Sequence, residues 1–299
     1  MREDIGEIIK FIYDLGLEKW IVTNGTYIDD DMISIFKNFK VNVQVSLDGP
    51  DERVNDYIRG EGSFRRAIKA IKMLVGNGVR TKIGVTLTKY NYNLVKKFVS
   101  LAENLGVDEV QFSSVVMAGR ANKYNMSVSV TQLREFSMQV LDSASRYSVS
   151  ISHERIFYQN LLSQSKRYAC GGCGRDRISI NSIGDVYPCQ TMHHPEFFVG
   201  NIRKDRLIYL WINSEKLNEL RHHNVDNIEK CSACSWKYVC MEGCISETFY
   251  LTGDYRKTSS PVCEWYKEIF PLMLKYIGRE HKYLKNKYRN ISGAGIKLE

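Results

Sequence analysis

The sequence predicts an α/β protein: an incomplete (β/α) barrel, its first strands missing, followed by a small cysteine-rich domain. Three observations carry that prediction. Helix-like and strand-like segments alternate from residue 5 to residue 113. All eight cysteines lie at or beyond Cys170, with none before it. The first segment is a helix pattern, so the strand that should precede it in a βα series is absent.

The elements follow in order. Ile5, Ile8, Ile9 and Ile12 share one helical face, and Lys19–Thr23 reads as a strand. A short helix over Met32–Phe39 leads to a strand over Val41–Leu47. A long helix, Ser63–Leu74, ends at Gly76-Asn77-Gly78 and precedes the strand Thr81–Leu87. A helix over Tyr92–Leu105 and a strand over Glu109–Ser113 complete the series. Strands reached through helices make right-handed βα units and a parallel sheet. Ligands of such barrels bind at the carboxyl ends of the strands. The residues there are small or polar: Thr23-Asn24-Gly25, Ser46-Leu47-Asp48-Gly49, Thr86 and Thr88, and Ser113-Ser114. The strand around Trp20-Ile21-Val22 is left as an apolar edge, which native sheets cover.

Beyond Arg120 the rhythm breaks. A helix over Thr131–Tyr147 and a bridge reach Cys170; Arg177–Asn181 and Asp185–Tyr187 flank Ile183-Gly184 as a hairpin. A helix from about Val262 closes the chain.

Composition narrows the classes. With 299 residues, 43% hydrophobic and 25% charged, the chain is globular rather than disordered. No run approaches the roughly 18 apolar residues of a spanning helix. Met1-Arg2-Glu3-Asp4 carries no signal-peptide pattern, so a cytoplasmic address and no membrane partner are expected. The formal net charge is +8, part of it in a basic tail from Lys275 to Arg289. That tail reads as a solvated helix end, or as a contact for an acidic peptide. Nucleic acid is disfavoured, because no recognition motif accompanies the charge.

The central cysteine run, Cys231, Cys234, Cys240 and Cys244, has the spacing C-x2-C-x5-C-x3-C. Cys170, Cys173 and Cys189 precede it and Cys263 follows. Four thiolates hold a cubane iron–sulfur cluster or one tetrahedral zinc, so eight make two sites of either kind. His193, His194, His222 and His223 are then surplus and read as surface or supporting residues.

This pattern resembles the SPASM domain that follows the barrel in many radical S-adenosylmethionine (SAM) enzymes. The first half agrees with that family. Thr23-Asn24-Gly25 looks like its third-strand motif, and Ser46-Leu47-Asp48-Gly49-Pro50 like its fourth. Asp56-Tyr57-Ile58-Arg59-Gly60 and Gly119-Arg120-Ala121 also fit. The resemblance implies a partial (β/α)6 radical SAM-type barrel over residues 1–125 and a bridging helical segment over 126–169. It implies a SPASM domain over 170–274 and leaves 275–299 as the basic tail. In such enzymes the last cysteine of the central run crosses back. Cys170, Cys173, Cys189 and Cys244 would hold one auxiliary 4Fe–4S cluster, and Cys231, Cys234, Cys240 and Cys263 the other. Asn24, Ser46 and Thr86 would line the S-adenosylmethionine site, with Asp48 and Arg59 supporting it.

The family's C-x3-C-x2-C motif is missing, as is its Gly-Gly-Glu motif. The chain therefore reads as truncated at its beginning, by a misplaced start, a disrupted gene or a fragment. A complete member cleaves S-adenosylmethionine to a 5′-deoxyadenosyl radical and modifies a peptide or protein. A barrel without its first cluster cannot start that radical, which sets catalysis by the chain as given in doubt. The expected partners are a peptide or protein substrate, an acidic one suiting the tail, and an electron donor such as flavodoxin or ferredoxin. Gln190 stands where sulfatase-maturating members carry an Asp, which argues against that substrate and toward other peptide modifiers. Two further readings stay open: a non-enzymatic cluster protein for electron transfer or peptide binding, and a zinc-bound interaction module.

Overall fold

The computed structural model describes residues 2–144, 146–152, 170, 172–258 and 260–288. The bridge over 153–169 and the end of the basic tail over 289–299 lie outside them. The chain divides into two compact units: residues 1–115, 126–158 and 269–299, and residues 116–125 with 159–268.

In the first unit a parallel sheet runs β1 (Trp20–Thr23), β2 (Asn42–Ser46), β3 (Thr81–Leu87), β4 (Glu109–Ser114) and β5 (Ser150–Ile151), paired in sequence order. Helices α1 (Ile5–Asp14), α2 (Asp30–Asn38), α3 (Glu52–Arg59), α4 (Ser63–Gly76), α5 (Val95–Leu105), the short α6 (Arg120–Lys123) and α7 (Val130–Ala144) punctuate the chain. All but α6 belong to the first unit. Two elements escape the sequence reading. Helix α3 is eight residues long, and its apolar residues Val54, Tyr57 and Ile58 cover little more than one turn, too short a pattern to read. Strand β5 is two residues long, yet Glu109 pairs with Ser150 and Val110 with Ile151, so the sheet continues past residue 125.

Side chains alternate across the strands, and the two faces differ in kind. Val43, Val45, Ile83, Val85, Val110, Phe112 and Ile151 are buried, as are Phe36, Ile71, Leu74, Phe98 and Phe136 on the helices. Phe112 meets Phe98 and Phe136 edge to face, with ring centres 5.8 and 5.2 Å apart. The other face carries Asn42, Gln44, Ser46, Lys82, Thr86, Glu109, Gln111 and Ser113. There Lys82 Nζ lies 3.3 Å from its cross-strand neighbour Glu109 and 4.3 Å from the Trp20 ring centre. A parallel sheet covered on both faces would be apolar throughout; the polar second face is that of a barrel lumen. Among the described residues β1 pairs with β2 alone, and Val22 is 65% exposed.

The second unit is built of shorter pieces. Strands β6 (Ser179–Ile180), β7 (Asp185–Tyr187) and β8 (Gly200–Asn201) form an antiparallel sheet, the first two making the expected hairpin. Helices of four to eight residues follow, from Leu207 to Thr252. Its core gathers Cys173, Met192, Phe197, Leu220, Val225, Ile228, Ile245 and Tyr255, with Cys170, Cys189 and Cys231 against it. A helix spans Ser260–Tyr288.

Candidate iron–sulfur centre and strand-end site

The strand-end site is assembled around Asp48. Its Oδ1 accepts the Thr86 backbone N–H at 2.7 Å, and its Oδ2 lies 2.7 Å from Arg59 Nε. The second contact is an ion pair by distance without hydrogen-bond alignment. Asn55 Oδ1 accepts from the backbone N–H groups of Asp48 and Gly49, at 2.9 and 3.2 Å. Asn91, fully buried, donates from Nδ2 to the carbonyl oxygens of Asp48 and Thr86, both at 2.9 Å. These ties lock the loop after β2 to the end of β3. Ser46 ends β2, and Asn24 follows β1 with its Oδ1 accepting from Thr26 N–H at 3.0 Å. The sequence-read residues Asn24, Ser46, Asp48, Arg59 and Thr86 thus share the carboxyl end of one sheet. Asp48 and Arg59 are engaged in holding it. The side-chain hydroxyls of Ser46 and Thr86 make no hydrogen bond to the described residues. Asn55 and Asn91 were not legible as site supports, because a single polar residue in a turn has no pattern.

In the second unit, Cys170 N–H donates to the Met241 carbonyl at 2.9 Å, tying the first cysteine loop to the C-x3-C loop. Cys234 N–H donates to the Cys231 carbonyl at 2.9 Å, closing the C-x2-C turn. Cys240 ends a short helix, and Met241, Glu242 and Gly243 then turn left-handed, with φ of 50°, 65° and 79°. That run throws Cys244 to the start of the next helix. Glu242 is fully buried in its side chain and meets His223 Nε2 at 2.8 Å.

The thiols influence one another in two separate sets. Hydrogen bonding from the Cys173 thiol, foremost, lowers Cys170 to about 6 and Cys189 to about 5, and raises Cys173 itself. Burial and then the charge of Cys170 push Cys244 up to about 12. Burial, Glu242, and then Cys263 and Cys234 push Cys231 up to about 11. Burial followed by Cys231, Cys263 and Cys234 pushes Cys240 to about 12. Each thiol so affected finds its cysteine neighbours within Cys170, Cys173, Cys189 and Cys244, or within Cys231, Cys234, Cys240 and Cys263.

The histidines are used elsewhere. His193 stacks on Tyr187 at 4.5 Å, His194 Nδ1 accepts from Glu196 N–H, and His222 Nδ1 contacts the Asn218 carbonyl. Among the described residues, no three His, Cys, Asp or Glu side chains close into a cage for one ion. A cubane spreads four thiolates over four irons, and the eight free cysteines are enough for two.

The comparisons with known proteins agree with both halves. Residues 1–113 match the radical SAM superfamily and residues 170–235 the SPASM iron–sulfur cluster-binding domain. The first half of the chain thus carries the radical SAM match and the cysteine-rich half the SPASM match. In sequence an iron–sulfur cluster-binding domain match follows the parallel α/β sheet, and the zinc-module and non-enzymatic readings are not favoured. Mycofactocin maturase MftC of Mycobacterium tuberculosis is 28% identical over 270 residues, covering 88% of this chain and 68% of that protein. PqqA peptide cyclase of Bradyrhizobium diazoefficiens is 24% identical, covering 100% and 80%. An AdoMet-dependent heme synthase of Methanosarcina barkeri, 26% identical, covers 88% and 78%. The solved structure of anSMEcpe with bound AdoMet and Kp18Cys peptide aligns with a TM-score of 0.74 at 20% identity, over 95% of this chain and 82% of that one. That likeness shows the fold. No helix among the described residues is long and apolar enough to cross a membrane.

Proposed function

We propose that this chain is the barrel-and-cluster part of a peptide- or protein-modifying radical SAM enzyme. In this reading Cys170, Cys173, Cys189 and Cys244 hold one auxiliary 4Fe–4S cluster, and Cys231, Cys234, Cys240 and Cys263 the second. The observation that carries it is the Cys170 N–H bond to the Met241 carbonyl at 2.9 Å, which brings the first cysteine loop to the Cys240–Cys244 loop; the charge of Cys170 acting on Cys244 agrees with it. The iron–sulfur domain spans residues 170–274. When bound, the clusters supply one-electron acceptor and relay chemistry, and S-adenosylmethionine supplies the radical.

The residues of the chain supply binding and orientation. Asn24, Ser46 and Thr86 line the S-adenosylmethionine site, while Asp48 holds the Thr86 amide and Arg59 in place beneath them. Gln190 Oε1 accepts from the Cys189 thiol at 3.3 Å, so the position after Cys189 offers an amide and no carboxylate base. This favours peptide modification other than sulfatase maturation. The electron donor is a flavodoxin or ferredoxin, and the setting is cytoplasmic. The sequence contains no C-x3-C-x2-C triad, and the radical-generating cluster has no ligands among its cysteines.

The test is a count of iron, sulfide and zinc after anaerobic purification and reconstitution. About eight irons and eight sulfides per chain are expected, falling by about four of each in Cys189→Ala and again in Cys263→Ala. About two zincs without iron would overturn the reading. Tight binding of a porphyrin in place of a peptide would redirect the substrate class toward that of the heme synthase relatives.

A further inference from the structure

The loop between Cys170 and Cys173 contains Gly172, and the structure gives that glycine a reason. A Cβ at Gly172 would lie 2.5 Å from Arg177 Nε and 2.8 Å from its Cζ and Nη2. The guanidinium therefore rests against the backbone of the cysteine loop, in space that only glycine leaves open. Cys173 and Arg177 are bridged backbone partners as well, which fixes the start of the arginine side chain beside the thiols. Its near neighbour Arg175 is used differently: it donates to the carbonyl oxygens of Leu220, Arg221 and His223 and clamps a loop. The Arg177 guanidinium lies against Gly172, between Cys170 and Cys173, and pairs with the exposed Asp176 at 2.9 Å.

We propose that Arg177 sets the reduction potential of the auxiliary cluster held by Cys170, Cys173, Cys189 and Cys244, shifting it upward. The inference rests on the ligand assignment proposed above. A cluster gains one negative charge on taking up one electron, so a fixed cation beside its ligands stabilises the reduced form more than the oxidised one. Arginine suits the task because the guanidinium stays charged at every pH at which the protein is folded. Its field reaches the thiols: Arg177 helps to hold the Cys189 thiol down, and the charges on Cys189 and Cys170, after Asp176, hold Arg177 up. Asp176 weakens the effect, and because both side chains are more than half exposed, water screens the pair and keeps the shift modest.

The experiment is a dithionite titration of the reconstituted full chain, followed by electron paramagnetic resonance, with iron counted in every sample. The wild type is expected to show two reduction steps. In Arg177→Gln one step moves to more negative potential and the other stays, with iron content unchanged. Arg177→Lys keeps the charge and most of the wild-type potential. Gly172→Ala keeps the arginine but pushes it off the loop, so it moves the same step in the same direction by less. Two unmoved steps in Arg177→Gln at full iron content overturn the inference. Loss of about four irons in the Gln and Lys variants alike also overturns it, making Arg177 a support for the loop. A wild type that holds iron for a single cluster overturns the ligand assignment itself, before any variant is compared.

Discussion

Asn91 shows how much of a strand-end site rests on residues that touch no ligand. It has no exposed surface, and its amide reaches the ends of β2 and β3 at once, while its Oδ1 accepts from Thr88 N–H at 2.8 Å. An aspartate there can accept but cannot donate. Asn91→Asp is therefore expected to lower stability by about 3 kcal/mol, read as a reduced midpoint in urea, because two carbonyl oxygens and a carboxylate would be left facing each other. An unchanged midpoint would mean that the loop has another anchor. The same scale explains what was legible. The eight cysteines stood out because their spacing is a pattern, and Asp48 because it belongs to a motif. Asn55 and Asn91 lie in stretches that read as turns, where asparagine is common for purely local reasons. Their role depends on which strands meet, which spacing along the chain does not reveal.

At the scale of elements, the loops after β2 and ahead of α4 decide whether the strand ends are presented correctly. A Cβ on Gly49 would lie 2.1 Å from the Asn55 backbone nitrogen, so the turn after Asp48 packs directly on α3. Gly49→Ala is expected to cost about 3 kcal/mol and to weaken S-adenosylmethionine binding with it, measured by denaturation and by calorimetry. Weakened binding without lost stability would separate the two roles. Helix α4 begins at Ser63, and Gly62 at its N-cap has no side chain to cap it. Asp56, from the preceding helix, does so instead: its carboxylate accepts from Phe64 N–H at 2.8 Å, the Ser63 hydroxyl at 2.9 Å and Gly62 N–H at 2.6 Å. The Phe64 bond first, with the Ser63 and Gly62 bonds, holds its pKa below the usual carboxylate value. Because the folded value is the lower one, the cap stabilises above the unfolded pKa of about 3.9 and is lost as pH falls through the folded value. Asp56→Asn should therefore be less stable than wild type at pH 7, with the gap closing below about pH 4. A gap independent of pH would show that charge plays no part. The α3 helix itself was not legible, since the residue it buries is Asn55 and its apolar residues Val54, Tyr57 and Ile58 span little more than one turn. Strand β5 was hidden by its length: two residues offer no alternation to detect.

The whole molecule joins two units of different construction, and their dependence on iron should differ accordingly. The first has a five-stranded sheet packed against helices and a continuous apolar core. Such a unit has enough buried area to hold its fold without a metal. In the second, strands run two or three residues, and helices between Leu207 and Thr252 run four to eight. Elements that short do not persist alone in water, and each proposed set needs one thiol from outside its main segment, Cys244 in the first and Cys263 in the second. Binding a cluster at each set would then be folding energy for this unit, as for small metal-dependent domains. Removal of iron by an anaerobic chelator is thus expected to raise amide hydrogen exchange across residues 172–252 toward unprotected rates. Residues 43–47, 83–87 and 110–113 should keep theirs, and reconstitution with iron and sulfide should restore the rest. The Cys240–Cys244 loop sharpens the expectation, because its left-handed run at Met241 and Glu242 is a conformation that non-glycine residues adopt only under constraint. With thiols of both sets at its ends, that loop should be the first segment to lose protection as iron is withdrawn. Equal protection with and without iron would instead mean that the core around Phe197, Leu220 and Tyr255 holds the unit by itself, with the clusters bound to a site already formed.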